Sequence, residues 1–190
     1  MRSYRTSGQY LQDQRAVAKS AEKFLRKWLT RTCGDTSQEM CKPAVVFDVD
    51  DTLLDWYVLD SQYDFNMPYA QWLTCGVECD MPAIGAAKAL FKTAKKLGAS
   101  VFIITGGNDA QRGVISACLQ KRGITGWKKL STRSPVQESL TALDYKSHAR
   151  AEIEKQGWQI GFAIGDQISD MAGGHTAQGF LLPNPMYFIP

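Results

Sequence analysis

Ala44-Val45-Val46-Phe47-Asp48-Val49-Asp50-Asp51-Thr52-Leu53-Leu54 is the stretch around which the chain is organised. Four apolar residues run straight into a cluster of acids, and Val45, Val46 and Phe47 favour an extended backbone. An unbroken apolar run suits a strand buried on both faces of a parallel sheet. The acids then stand at the carboxyl end of that strand, where open α/β sheets bind ligands. Asp48 and Asp50 are two residues apart, so an extended backbone turns both to one face. Two carboxylates held that close repel unless a cation or a proton lies between them. Other readings fit less of the stretch. An EF-hand loop needs Gly sixth and an acid twelfth; counted from Asp48, those are Leu53 and Leu59. A Walker-B strand would need a G-x-x-x-x-G-K-[ST] elsewhere, and the chain has none. An Asp-rich turn explains one or two acids, not three after a buried strand.

Composition limits what such a site can serve. The 190 residues suit one domain with a sizeable core, spanning 1–190. At 44% hydrophobic and 22% charged, the chain has an ordinary globular composition. A formal charge of +3, with no run of five Lys or Arg, is too mild to imply a nucleic-acid polymer. No apolar stretch approaches the roughly 18 residues of a membrane span. Met1-Arg2-Ser3-Tyr4 leads directly into polar sequence, so no signal peptide is expected here. Of five cysteines, Cys33/Cys41 and Cys75/Cys79 are local pairs and Cys118 stands alone. A C-x3-C with no His nearby matches zinc poorly, which favours disulfides made in an oxidising compartment.

Taken in order, residues 10–30 place Val17, Ala18, Ala21, Phe24, Leu25, Trp28 and Leu29 at helical spacing, which predicts an amphipathic helix. The first 42 residues read as a brace, with residues 34–42 a polar loop. Residues 53–82 have no clear period and carry aromatic residues, among them Trp56, Tyr57 and Trp72. An insertion directly after the acidic strand end reads as a small cap. A helix follows through Leu90 and Phe91, then a second buried strand from Ser100 to Thr105. Thr105 before Gly106 and Gly107 can offer a hydroxyl and backbone N–H groups to an anion. Residues 109–122 predict a helix, 127–132 a short third strand, and 145–156 a helix capped by Asp144. Lys146 in its first turn opposes the helix dipole, so it needs another reason to be there. Residues 159–164 predict a fourth strand, running into Gly165-Asp166-Gln167-Ile168-Ser169-Asp170, and residues 179–182 a fifth. His148 reads as surface, and His175 has no evident partner.

Strands alternating with helices imply a doubly wound parallel sheet of the α/β class. With strand one central, Asp48, Thr105 and Asp166 converge on one crevice. Carboxylates, a hydroxyl and a Lys suit Mg²⁺ and a phosphate.

The sequence resembles the haloacid dehalogenase (HAD) superfamily, with motifs standing as Asp48-Val49-Asp50-Asp51-Thr52, Thr105, Lys146 and Gly165 to Asp170. Gly8 to Asp13 and Leu182-Pro183-Asn184-Pro185-Met186-Tyr187 are similar to its secreted acid phosphatase branch (class B, subfamily IIIB), which includes plant vegetative storage proteins. The resemblance implies a Rossmann-like sheet with a small cap and an Mg²⁺-dependent acid phosphatase acting on small phosphomonoesters. It assigns Asp48 as nucleophile and Asp50 as general acid and base. Thr105, Gly106 and Lys146 hold phosphate; Asp48, Asp166 and the Asp50 carbonyl hold Mg²⁺; Asp170 supports them. It also implies secreted or periplasmic origin. Gly107 stands where members commonly carry Arg. The alternatives are a phosphotransferase and a storage or binding protein of little turnover.

Overall fold

β1 (Pro43–Phe47) is buried along its whole length, as its unbroken apolar run requires. The computed structural model describes residues 1–189, with the side chains of Gln38 and Cys75 outside the description. β1 lies at the centre of a parallel sheet with β2 (Ser100–Asn108), β3 (Lys129–Arg133), β4 (Gln159–Gly165) and β5 (Gln178–Leu181), in the order β3-β2-β1-β4-β5. β2 and β4 flank β1, with Phe47 in register with Ile103 and Ile164. The expected α/β, doubly wound parallel sheet is therefore the observed one.

The helices follow as α1 (Arg2–Thr6), α2 (Gln9–Thr32), α3 (Gln38–Cys41), α4 (Tyr57–Asp60), α5 (Tyr69–Glu78), α6 (Gly85–Lys96), α7 (Arg112–Lys121) and α8 (Ala142–Lys155). Alternation along β1 sorts them into two layers. Val45 and Phe47 enter the core with Leu25 of α2, Phe91 of α6 and Leu119 of α7. Ala44 and Val46 face the opposite core, with Tyr145 and Ile153 of α8. Both faces of the sheet are thus covered, and its carboxyl edge stays free for chemistry.

Four sequence expectations change. The polar loop 34–42 contains the short helix α3. Residues 53–82 are not without order: they hold α4 and α5. α8 begins three residues earlier than its periodicity suggests, and Thr141 Oγ1, not Asp144, is the cap, accepting the Asp144 N–H at 3.1 Å. Lys146 therefore lies in the second turn, clear of the positive helix end. The cysteine pairing also differs: Cys33 bonds Cys41 as expected, but Cys79 bonds Cys118. Cys79 sits past the end of α5 with a left-handed backbone that carries it off the helix, while α5 packs on α7. Cys75 therefore does not pair with Cys79.

Candidate active site

The chain turns sharply where β1 ends. Asp51 adopts φ +51°, and the amides of Leu53 and Leu54 both return to Val49 O, at 2.8 and 2.9 Å. This turn aims the acids of one short stretch in different directions. Asp48 stays in line with the strand, its N–H bonded to Ile164 O of β4. Its Oδ1 accepts from Lys146 Nζ at 2.7 Å, and the same ammonium also bonds Asp170. Asp50 accepts from Trp56 Nε1 at 2.7 Å and from Thr105 Oγ1 at 3.3 Å. Thr105 Oγ1 accepts in turn from the Gly107 N–H at 3.1 Å.

The fourth strand delivers the other half. Asp166 accepts from Gln167 Nε2 at 2.6 Å, Asn184 Nδ2 at 2.7 Å and Thr52 Oγ1 at 3.3 Å. Asp170 folds back beside Gly165, where any Cβ would collide with its carboxylate, and it accepts the Gln167 N–H at 2.8 Å. Ligand oxygens of Asp48, Asp166 and Asp170 lie within 4.8 Å of one another. The sequence-derived residues Asp48, Asp50, Thr105, Gly106, Lys146, Asp166 and Asp170 thus meet at one place. All except Thr105 and Asp170 line a cleft of about 640 Å³. Asp170 lies behind the cleft wall, its carboxylate beside those of Asp48 and Asp166.

Burial, then the neighbouring acids, push Asp48 well above the ordinary carboxylate range despite the pull of Lys146. Burial raises Asp50, Asp51 and Asp166 as well. Burial works against the Lys146 charge, but Asp48 and Asp170 outweigh it and hold the ammonium above its usual value. Burial is thus the main reason that Asp48 and Asp166 rise, with neighbouring acids adding to it, while Lys146 stays charged. A divalent cation could be held by these acids, whose donors are all oxygen, the kind Mg²⁺ takes.

Several residues here carry weak signals in the sequence. Trp56 reads as one of the cap's aromatic side chains, yet its indole N–H holds Asp50. Asp51 is fixed by the Trp56 N–H at 3.1 Å and by Tyr187 O–H at 3.0 Å. Arg150, 0% exposed, donates to the carbonyls of Asp170 (2.6 Å), Gly174 (3.0 Å) and Ala172, binding the whole acidic turn to α8. Its spacing of four from Lys146 puts both cations on one face of α8. His175 does have a partner, Glu154, at 2.6 Å.

Comparison with known proteins supplies the family. The family profile "HAD superfamily, subfamily IIIB (Acid phosphatase)" matches residues 1–190. The chain belongs to that family. The subfamily IIIB chain is 35% identical over 151 residues to "Acid phosphatase 1" of Solanum lycopersicum, covering 76% of this chain and 58% of the relative. It is 32% identical over 189 residues to "Vegetative storage protein 2" of Arabidopsis thaliana, covering 97% of this chain and 68% of the relative. It therefore spans little more than half the length of the tomato protein. A class C acid phosphatase structure from Bacillus anthracis superposes with a TM-score of 0.73 at 18% identity, covering 98% of this chain and 82% of that one. That likeness is one of fold. Among the described residues, no helix of this family member is long and apolar enough to cross a membrane.

Proposed function

We propose that the chain is an Mg²⁺-dependent acid phosphatase that hydrolyses small phosphomonoesters through an aspartyl phosphate on Asp48. One observation carries the reading: a buried Asp48 bears the Lys146 ammonium on one carboxylate oxygen, with Asp50 two residues on. Asp48 attacks phosphorus, and the bond from phosphorus to the leaving oxygen breaks. Asp50, kept above the usual carboxylate range by burial, gives its proton to that oxygen. Water then attacks the aspartyl phosphate and returns a proton to Asp50, freeing phosphate and Asp48. Thr105, the Gly106 backbone and Lys146 hold the phosphoryl oxygens as their charge grows. Asp48, Asp166, Asp170 and the Asp50 carbonyl are the residues to hold Mg²⁺. Bound there, it would supply positive charge that favours the Asp48 carboxylate and the phosphoryl oxygens.

In this reading residues 1–190 work as one phosphatase domain, with 1–42 as the brace and 53–82 as the cap. Two disulfides favour maturation in an oxidising, secretory setting. The likeness to a vegetative storage protein keeps a second reading open, a storage protein of little turnover. Phosphate release from a panel of monoesters separates the two. Turnover should require Mg²⁺ and fall at least about 10³-fold in Asp48→Asn, because an amide cannot attack phosphorus. Full activity in EDTA, or in Asp48→Asn, rejects the mechanism.

A further inference from the structure

A second cavity, of about 220 Å³, lies between the cap helix α5 and the core helix α7. Its walls are apolar: Val49 and Leu54 from the turn after β1, Leu73 from α5, Met81, and Val114 and Ile115 from α7. It adjoins the cleft, because Asp50, Trp56, Trp72, Gly107 and Gln111 line both spaces. Asp48 and Lys146 line the cleft alone. The residue assigned to protonate the departing oxygen is therefore the acid that faces the apolar space. Gly107 stands on the shared wall. Even a Cβ there would lie 2.9 Å from Ile115 Cδ1 and 3.1 Å from Gln111 Oε1, so a larger side chain would crowd the junction.

We infer that this cavity is a leaving-group subsite, and that the preferred substrates are phosphomonoesters of apolar, ring-bearing alcohols. The inference rests on the phosphomonoesterase reading above and gives it a substrate class. A dry apolar cavity of about 150 Å³ admits benzene, so this one has room for a single substituted ring. A sugar or glycerol group would bring hydroxyls to walls that offer them few partners.

Benzyl phosphate and glycerol phosphate both release an alkoxide, so comparing them isolates recognition from leaving-group reactivity. The wild-type kcat/KM should favour benzyl phosphate by at least about tenfold, the scale expected for burying one ring. Val114→Phe and Leu73→Trp, which fill the cavity from opposite sides, should abolish that preference and leave glycerol phosphate turnover unchanged. Calorimetry with benzylphosphonate and methylphosphonate, which cannot be hydrolysed, should show the same discrimination and its loss in Val114→Phe. Equal turnover of the two esters by the wild type, or equal losses on both in the two variants, overturns the subsite. If neither ester is hydrolysed but the phosphonates are still distinguished, the subsite stands and the phosphatase reading falls. If neither is hydrolysed and the phosphonates bind alike, both fall.

Discussion

Asp50 offers both its carboxylate oxygens to neutral donors, the Trp56 indole and the Thr105 hydroxyl. A carboxyl so placed matters in proportion to the leaving group's need for a proton. Asp50→Asn should slow phosphorylation of Asp48 far more with an alkyl phosphate than with p-nitrophenyl phosphate, whose anion leaves unaided. On the proposed mechanism water attack also needs Asp50, so the activated ester should give a burst as phospho-enzyme accumulates. Equal slowing with no burst would mean another group carries the proton. The Trp56 hydrogen bond pulls the Asp50 pKa down against its burial. Trp56→Phe keeps the ring but removes that donor, so the alkaline limb of kcat/KM should move to higher pH; an unmoved limb would make Trp56 a packing residue. Asp48, Asp50 and Asp166 are legible in sequence because acids gathered at the ends of buried strands repel one another unless a cation joins them. Trp56, Asn184 and Arg150 are not, since each acts by a hydrogen bond whose partner is chosen by the fold. Arg150 leaves only its four-residue spacing from Lys146 as a clue.

The insertion 53–82 shows how a segment can be placed from sequence and missed in its fastening. Its place after β1 follows from the interruption of helical spacing. Its attachment, Cys79 to Cys118 across 39 residues, joins positions that no local pattern links. Further ties run the same way: Arg122 donates to Cys79 O and Met81 O, and Lys121 to Glu78 O. The other disulfide closes only 8 residues. By the chain-entropy account, the long closure contributes about 4 kcal/mol and the short one about 2.5. Serine at both Cys79 and Cys118 should therefore lower the urea midpoint more than serine at both Cys33 and Cys41. The reverse order would place the main cross-link between the end of α2 and α3. Helix ends are the least legible elements: Thr141 and Asp144 are both good caps, and only the finished packing of α8 selects Thr141.

At the scale of the whole molecule, the acid cluster sets how stability responds to pH. Asp48, Asp50, Asp51 and Asp166 are all raised, chiefly by burial. A raised acid binds more protons folded than unfolded, so stability falls as pH climbs from the ordinary value near 4 through the raised values. Asp13 and Glu152 shift downward with the opposite sign, but they lie on the surface, where solvent screens them. Lys146, also raised, loses its contribution only at far higher pH. The thermal midpoint in EDTA should therefore drop as pH climbs above the ordinary carboxylate value near 4, and Mg²⁺ should reduce the drop by favouring the charged forms of Asp48 and Asp166. A midpoint that rises, or a drop indifferent to Mg²⁺, contradicts this. The tail that completes the cluster has a consequence for how the protein is made. Asn184 and Tyr187 hold Asp166 and Asp51, and 136 positions separate Asp51 from Tyr187. A growing chain on the ribosome thus emerges with its acids exposed long before their last partners exist. A chain ending before Asn184 would keep the residues of all five strands but lose these partners of Asp166 and Asp51, so it should lose activity before it loses the fold.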